Sequence, residues 1–396
     1  MDLQQRFDRL REALIAGEPF WRSPPFVDPY PVWLTRFPEL ATALMALSDS
    51  ELEHLEQDDE RRIHWLAPYL PALSSLLPLI KVPRGVTELD FIPNPRQFAH
   101  IPGRKWSQIQ AFCANLEHHE GTYLEWCAGK GHLGRLTSHR FQQPVCSLEY
   151  DGALCEEGAR LAQRNGTAQR FVCQDVMAPS VANQLPGVGT AMALHACGDL
   201  HGQLLQLGVA ERIPNLLVSP CCYHLTAQPH YQHFSAHAKR RGLALSKSEL
   251  RLAVEETATA PAKVRRLRRI EVSYRLGLKA LYQDQKGEVA SLQVPSCAKS
   301  ILGEGFAAFC QWADAQRGLS LTAPIDWNHY QSLGEMAWQR QIRLELLRHT
   351  FRRPLELYLV LDRALYLKEQ GYEVSVLTFA ERDTTPRNLL IRAVRR

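Results

Sequence analysis

The sequence predicts an α/β fold: a doubly wound parallel sheet that ends in an antiparallel hairpin, with a helical N-terminal lobe and an inserted lobe. Between residues 122 and 224, short apolar runs alternate with helical segments, which is typical of parallel strands joined by crossover helices. Near the C-terminus, only the turn-forming "ERDTTPRN" separates the apolar runs "EVSVLTFA" and "LLIRAVRR". Two strands joined by so short a connection must pair antiparallel.

The elements of the sheet can be assigned in chain order. The strand candidates are "TYLEWCA", "PVCSLEY", "QRFVCQDV", "GTAMALHACG" and "PNLLVSPCCYH". The helices between them are "HLGRLTSHRF", "DGALCEEGARLAQRNG" and "DLHGQLLQLGVAER", and the Asn-Gly that ends the second is a C-cap signal. A long helix, "RPLELYLVLDRALYLKEQGY", leads into the final hairpin.

The rest of the chain is expected to form two lobes. Residues 1–104 should be the helical N-terminal lobe, in which only the proline-rich "RSPPFVDPYPVW" must be extended. Residues 105–224 and 350–396 would carry the sheet. Residues 225–349 would be the inserted lobe, mostly helical with one alternating segment, "IEVSYRLGLKAL".

Composition narrows the class of protein. The chain has 396 residues, 45% of them hydrophobic, and a net charge of +4, which is too small to dictate a polyanionic partner unless it is clustered. A signal peptide and a membrane-spanning run are not evident, so we expect a cytoplasmic protein without a membrane partner. The ten cysteines should be free thiols there, and because no pair has C-x-x-C spacing, we expect no metal.

The clearest signal for a ligand is "EWCAGKGHLG", residues 125–134. Gly129, Gly131 and Gly134 form a G-x-G-x-x-G pattern between a predicted strand and a predicted helix, where glycine permits a tight turn and close approach of a ligand. Glu149, at the end of the second strand, is placed to accept hydrogen bonds from the ribose hydroxyls of an adenosine. NAD, FAD and S-adenosylmethionine all remain compatible with these residues.

Three features favour S-adenosylmethionine. Glu125 lies inside the first strand just before the glycine loop, where a carboxylate suits the cationic amino end of methionine and would repel a pyrophosphate. Asp175 ends the third strand, where it can accept a hydrogen bond from the adenine amino group. The terminal hairpin suits a class I methyltransferase better than a dehydrogenase. Cys127 in the loop and His195 at the end of the fourth strand complete the expected cofactor-binding set.

Several stretches resemble the S-adenosylmethionine-dependent methyltransferase domain shared by eukaryotic tRNA acceptor-stem 2′-O-methylases and several methyltransferase-like proteins. They are "EWCAGKGHLG", "LHACGDLHGQLL", "SPCCYH", "DRALYLKEQGY" and "TPRNLLI". The resemblance covers roughly residues 105–225 and 350–396. It implies a Rossmann-like class I methyltransferase with S-adenosyl-L-methionine as cofactor, and it favours RNA as the substrate.

The loops after strands four and five should face the methyl acceptor. We expect positioning and base catalysis from Asp199, Cys222, Tyr223 and His224, with His201 and Cys221 in the same pool. A covalent variant, in which Cys197 and Cys222 act on a pyrimidine base, stays open. So does a zinc site made by Cys221, Cys222 and His224 with a fourth ligand from Cys197 or His201, although adjacent cysteines rarely share one tetrahedral ion. In the simplest alternative the thiols only pack under the pocket.

One dense basic run, "KVRRLRRIEVSYRL" at residues 263–276, supports an RNA partner, tRNA or rRNA. Its expected substrate-binding residues, together with one in the last hairpin turn, are Lys263, Arg265, Arg266, Arg268, Arg269 and Arg387. The alternative is a solvated edge strand protected by charge. A small molecule or a protein side chain as methyl acceptor, and a non-catalytic binding scaffold, are the competing functions. The sequence leaves the oligomeric state open.

Overall fold

The computed structural model describes residues 1–98, 101–255, 262–287, 292 and 294–395. The chain forms two compact units. The first comprises Met1–Gly17, Ala72–Glu256 and Phe351–Arg396, and the second comprises Glu18–Pro71 and Thr257–Thr350. This division differs from the three lobes expected from the sequence, because residues 1–17, 72–104 and 225–255 belong to the same unit as the sheet.

The first unit contains a seven-stranded sheet. Its strands are β1 (Thr122–Trp126), β2 (Val145–Glu149), β3 (Gln169–Cys173), β4 (Val188–Cys197), β5 (Asn215–Cys221), β6 (Tyr372–Thr378) and β7 (Leu389–Arg395). The spatial order is β3-β2-β1-β4-β5-β7-β6. Strands β1 to β5 are parallel, whereas β7 is antiparallel to both β5 and β6. The predicted Rossmann-like sheet with an antiparallel terminal hairpin is therefore confirmed.

The helices are numbered in chain order. They are α1 (Leu3–Ala16), α2 (Glu18–Trp21), α3 (Trp33–Arg36), α4 (Pro38–Ala46), α5 (Asp49–Gln57), α6 (Asp59–Leu66), α7 (Leu76–Ile80), α8 (Pro95–Phe98), α9 (Gly103–Ala114), α10 (His132–Phe141), α11 (Gly152–Arg164), α12 (Asp199–Ala210), α13 (Ala236–Arg241), α14 (Lys247–Leu250), α15 (Ala262–Lys286), α16 (Lys299–Gly303), α17 (Phe306–Arg317), α18 (Trp327–His349) and α19 (Arg352–Glu369). Short 3₁₀ turns span Pro71–Ser75, Pro179–Gln184 and Leu252–Val254. In the described part of the chain, none of these helices is long and apolar enough to cross a membrane.

Burial follows position in the sheet. Every residue of β5 is buried, as expected for a central strand covered on both faces, whereas β3 and β6 at the edges are partly exposed. Helix α1 packs against α19, and Phe7 stacks on Tyr358 with ring centroids 4.5 Å apart. This apolar contact explains why the first residues of the chain join the unit that carries the sheet.

A buried polar network fixes α19 beneath the loop that follows β5. Asp362 accepts hydrogen bonds from the Tyr231 hydroxyl (2.7 Å), the Phe234 N–H (2.9 Å) and both the N–H and the hydroxyl of Ser235 (2.9 and 2.8 Å). The Arg363 guanidinium donates to His201 Nε2 and to the Tyr231 hydroxyl, each at 2.8 Å. The stretch "DRALYLKEQGY" therefore contributes to the scaffold of the site.

The second unit is helical, and it corrects one sequence expectation. The segment "IEVSYRLGLKAL", expected to alternate as a strand, lies inside α15. Leu267, Ile270, Tyr274, Leu278 and Leu281 follow one another at spacings of three or four residues and pack into one apolar cluster with α17. That spacing is typical of one face of a helix. The short alternation of apolar and polar residues therefore did not indicate a strand.

Candidate active site

The residues expected to bind a ligand lie where the parallel strands end, the edge at which doubly wound sheets bind theirs. The backbone is unusual there. Cys127 after β1, His195 in β4 and Cys222 after β5 have left-handed φ values of 55°, 64° and 47°. Such conformations cost a non-glycine residue about 1–3 kcal/mol, and they cluster at functional sites. Three strand ends of this edge are thus held in strained turns.

The glycine loop connects β1 to α10. Gly129 and Gly131 have left-handed φ values of 57° and 63°, which glycine adopts without strain. Gly131 is the N-cap residue of α10, and a Cβ atom there would lie 2.3 Å from the Phe171 ring. At Gly134 a Cβ atom would lie 2.5 Å from Glu125 Oε2. At Gly131 and Gly134, two positions of the predicted motif, packing therefore leaves no room for a larger side chain.

Glu125 lies beneath this loop, with 4% of its surface exposed. Its Oε2 accepts hydrogen bonds from the Ser147 hydroxyl (2.6 Å) and Gln169 Nε2 (3.4 Å). Burial raises the pKa of Glu125 to about 7, and the Ser147 hydrogen bond opposes that shift. Gln169 also donates to the carbonyl of Gly131 (2.9 Å). Glu125 thus supports the loop from below, and its contact with a cationic ligand stays a prediction.

Glu149 is the last residue of β2, and Asp175 follows the end of β3. Glu149 Oε2 accepts the N–H of Gly129 (2.7 Å), and its Oε1 accepts those of Tyr150 (2.9 Å) and Asp151 (3.1 Å). Asp175 is exposed, and its Oδ1 accepts only a local hydrogen bond, from the Met177 N–H (2.8 Å). Each carboxylate retains lone pairs that can accept from a ligand.

Cys127 lies near these carboxylates and near Cys197, the last residue of β4. Burial, followed by the nearby Glu149, Cys197 and Asp175, raises the pKa of Cys127 to about 12. The group is therefore a neutral thiol at neutral pH, suited to packing against a ligand and unsuited to nucleophilic attack.

His195 reaches from β4 toward α9. Its Nε2 is 3.1 Å from Gln108 Oε1, while its buried Nδ1 has no hydrogen-bond partner among the described residues. Burial, followed by the Arg387 charge, lowers the pKa of His195 to about 4, so the imidazole is neutral. Gln108 was not foreseen, because a single glutamine on a helix forms no pattern. Lys105 is exposed on the same helix, and its charge also acts on Glu125.

Three thiols lie together at the ends of β4 and β5. The Sγ atoms of Cys197 and Cys221 are 3.5 Å apart, and with Cys222 all three lie within 4.8 Å of one another. Hydrogen bonds from the Cys197 and Cys221 thiols hold the pKa of Cys222 well below its usual range, and the Arg387 charge adds to this. Cys221 is buried, whereas Cys197 and Cys222 are partly exposed.

His224 and Arg387 carry uncommitted nitrogen atoms beside these thiols. The Nδ1 of His224 and the Nε of Arg387 are buried, and neither has a hydrogen-bond partner within the described part of the chain. Arg387 Nη2 donates to the carbonyl of Val254 (3.1 Å), which holds the side chain in place. Buried polar atoms are rarely left unpaired, so both residues are candidates for ligand contact.

Two expected acceptor residues are placed differently. Tyr223 is 2% exposed, its hydroxyl donates to the carbonyl of Pro220 (3.4 Å), and the Arg363 guanidinium carbon lies 5.2 Å from its ring centroid. The expectation that Tyr223 faces the substrate is therefore wrong. Asp199 Oδ2 accepts the N–H of Ala227 (2.8 Å) and thereby fixes the loop after β5. His201, also in the expected pool, is fully buried and held by Arg363.

The basic run lies on the N-terminal part of α15, in the second unit, so the alternative of a charged edge strand is wrong. Arg265 pairs with Glu53 (3.3 Å), and Arg269 pairs with Glu335 and lies over the Trp338 ring. Lys263, Arg266 and Arg268 are exposed and form no ion pair with any residue that the structure describes. Part of the positive charge is therefore neutralised, and part is available.

Comparison with known proteins supports the class of fold. Residues 104–229 match the sequence model of a family described as "Methyltransferase domain". This stretch is therefore similar to methyltransferase domains, and the finer resemblance to tRNA 2′-O-methylases stays a prediction. No curated protein matches the chain significantly.

Two solved structures are similar to parts of the chain. One is a geranyl diphosphate methyltransferase in complex with GPP and sinefungin, with 16% identity over 40% of this chain and 65% of that one, and a TM-score of 0.27. The other is geranyl diphosphate C-methyltransferase from Streptomyces coelicolor A3(2) in complex with Mg²⁺, geranyl diphosphate and S-adenosyl-L-homocysteine. Its identity is 14% over 40% of this chain and 63% of that one, with a TM-score of 0.25. The chain spans less than two thirds of either protein, and TM-scores this low carry no argument for a shared substrate.

Proposed function

We propose that this protein is an S-adenosylmethionine-dependent methyltransferase that acts on RNA, with tRNA or rRNA as the substrate. The observation that carries the proposal is the order of groups along the sheet edge. A left-handed glycine loop follows β1, Glu149 ends β2, Asp175 follows β3 and the strained His195 lies in β4. An adenosine with a cationic amino acid tail requires hydrogen-bond acceptors and a loop that allows close approach. These groups are present here, each at a separate strand end.

The residues fit this cofactor. Glu149 would accept hydrogen bonds from the ribose hydroxyls, and Asp175 would accept one from the adenine amino group. The glycine loop would allow close approach of the methionine portion, with the buried carboxylate of Glu125 beneath it and the unpartnered Nδ1 of His195 nearby. When bound, S-adenosylmethionine supplies an electrophilic methyl group. Because the five parallel strands end at one edge, Glu149 and the loop after β5 lie along the same side of the sheet.

The acceptor side needs a group that removes a proton and groups that orient the acceptor. His224 supplies the first, since its unpartnered Nδ1 can accept a proton from a hydroxyl or an amine. Arg387 supplies the second, since its guanidinium is held beside the thiols and has an uncommitted Nε–H. A phosphate or a carbonyl oxygen is the partner that such a donor prefers.

RNA is supported by positive charge and by the sequence resemblance. Lys263, Arg266 and Arg268 present available cations on α15. Because Arg265 and Arg269 are paired with acids, we expect these three residues to dominate phosphate neutralisation. Replacing all three with Gln should reduce the salt dependence of RNA binding, and replacing Arg265 should change it less.

Methyl transfer tests the proposal. The purified protein would be incubated with methyl-labelled S-adenosylmethionine and RNA from cells that lack it, and label would be counted in RNA, protein and small-molecule fractions. We expect label in RNA that ribonuclease removes and that His224→Ala reduces strongly. His118→Ala serves as the control, because His118 is an exposed residue that precedes β1 at the opposite edge. Label in protein or small molecules alone would establish the competing acceptor class, and no transfer with no cofactor binding would favour the scaffold.

A further inference from the structure

The thiols of Cys197, Cys221 and Cys222 have the spacing of metal ligands. All three Sγ atoms lie within 4.8 Å of one another, and those of Cys197 and Cys221 are 3.5 Å apart. Two thiolates bound tetrahedrally to one zinc ion, each at about 2.3 Å, are about 3.8 Å apart. The cluster therefore needs only small movements of its side chains to surround an ion.

Two strained residues create this cluster. In a regular strand the side chains of adjacent residues point to opposite faces, so Cys221 and Cys222 should diverge. Instead, β5 ends at Cys221, and the left-handed φ of 47° at Cys222 turns its thiol back toward the first. On β4, the left-handed φ of 64° at His195 accompanies a register shift that leaves Cys197 paired with Cys221. The strained backbone at His195 and at Cys222 brings the same three sulfur atoms together. Because backbone strain is concentrated at functional sites, this indicates a function for the cluster.

We propose that Cys197, Cys221 and Cys222 bind one Zn²⁺ ion through three thiolates. Thiolates select zinc and other thiophilic ions over Mg²⁺ and Ca²⁺, and zinc accepts the geometry that its ligands offer. Three thiolates on a divalent cation leave one net negative charge. The Arg387 guanidinium, which acts electrostatically on both Cys197 and Cys222, compensates for it.

The ion has three protein ligands and an accessible fourth position. No further His, Cys, Asp or Glu in the described part of the chain belongs to this group of mutually close ligand atoms. Cys221 is buried, but the partial exposure of Cys197 and Cys222 gives an ion a path from solvent. Three ligands with one open position are typical of catalytic zinc, whereas structural zinc has four ligands. The ion would therefore take part in binding at the acceptor side.

Metal titration tests the site. Reduced, metal-free full-length protein would be titrated with ZnCl₂ against a chromophoric chelator, and in parallel with CoCl₂ to detect thiolate-to-metal charge-transfer absorption. We expect about one ion per chain, with release of protons as the thiols ionise. Cys197→Ser, Cys221→Ser and Cys222→Ser should each weaken binding by about 100-fold or more. Cys297→Ser, a partly buried cysteine of the second unit, should bind as the wild type does.

A second measurement uses the wild type alone, so that it does not depend on the folding of the variants. Zn²⁺ should protect the partly exposed Cys197 and Cys222 from alkylation, as measured by mass spectrometry, while the exposed Cys173 reacts equally with and without the ion. Absence of the cobalt charge-transfer band, unprotected thiols, or a disulfide within the cluster in the reduced protein would each overturn the proposal. Binding of S-adenosylhomocysteine would be measured on the same sample. A protein that binds this ligand but not Zn²⁺ would overturn the metal site alone and leave the proposed function standing.

Discussion

The carboxylate of Glu149 accepts a hydrogen bond of 2.7 Å from the backbone N–H of Gly129. This contact joins the end of β2 to the glycine loop after β1, so two of the expected cofactor-binding elements are fixed relative to each other. Because the other oxygen of Glu149 is held by the N–H groups of Tyr150 and Asp151, the carboxylate has one defined orientation. A ligand hydroxyl would therefore meet a preorganised acceptor.

Gly134→Ala should destabilise the protein by about 1–3 kcal/mol, because the new Cβ atom would lie 2.5 Å from both Glu125 Oε2 and Gln169 Nε2, which are buried and hydrogen-bonded. Urea denaturation measures the change. Gly103→Ala should stay within about 0.5 kcal/mol of the wild type, because the new Cβ atom would have no described atom within 4 Å apart from its chain neighbours and the backbone of its own helix. Equal effects of the two substitutions would contradict the packing described for the loop.

The stability of the ligand-free protein should depend on pH through Glu125. Its pKa is raised from 4.5 to about 7, so between these values the folded state binds a proton that the unfolded state releases. This contribution to the free energy of unfolding is complete below about pH 4.5 and is lost as the pH rises through 7. Glu125→Gln should remove a decline on the order of 3 kcal/mol.

The difference between wild type and Glu125→Gln isolates this effect, because histidines with lowered pKa act in the opposite direction. His195 and His132 have pKa values of about 4 and 3, so they add stability as the pH rises toward 6.5. Denaturant unfolding at several pH values gives the comparison. A difference between the two proteins that does not vary with pH would show that the pKa of Glu125 is the same in the folded and unfolded states.

Tyr223 and His224 are adjacent but should respond differently to substitution. Tyr223→Phe removes only the long hydrogen bond to Pro220, so it should cost about 1 kcal/mol or less and leave methyl transfer unchanged. His224→Ala should reduce kcat by about 10²–10⁴-fold without a comparable change in Tm, as loss of a general base does. Loss of activity in a fully folded Tyr223→Phe enzyme would show that the Tyr223 hydroxyl does take part in methyl transfer.

Asp362→Ala should be among the most destabilising substitutions, costing about 3–5 kcal/mol, because four buried donors would lose their acceptor. Glu369, an exposed carboxylate on the same helix, accepts the N–H groups of Ala236 and His237 and provides the matched comparison. Glu369→Ala should cost about 1 kcal/mol, as the loss of a helix cap does. Thermal unfolding of both variants distinguishes a buried anchor from a surface cap.

The sheet and its cofactor edge could be predicted from the sequence because both depend on local patterns. The succession of strands along the chain follows from the alternation of apolar runs with helices, and Glu149 and Asp175 could be placed because each falls at or just after a strand end. The same approach failed at α15, where a short alternation concealed a helical period that becomes evident only over the whole segment from Leu267 to Leu281.

The acceptor side could be predicted only in part, because it depends on backbone conformation and tertiary contact. The inward orientation of Tyr223 is set by Arg363, far away in sequence. The meeting of Cys221 and Cys222 requires a left-handed residue that strand alternation excludes. Gln108 and Gln169 could not be found, because their roles arise from packing between distant segments.

Calorimetry with S-adenosylhomocysteine tests the central claim most directly. The wild type should bind it at one saturable site, and Glu149→Ala should weaken that binding by about 10- to 100-fold through loss of a charged acceptor. Glu211→Ala should bind normally, since Glu211 is an exposed carboxylate at the opposite edge of the sheet, before β5. No binding of S-adenosylhomocysteine or S-adenosylmethionine to folded wild-type protein would contradict the claim that this chain is an S-adenosylmethionine-dependent methyltransferase.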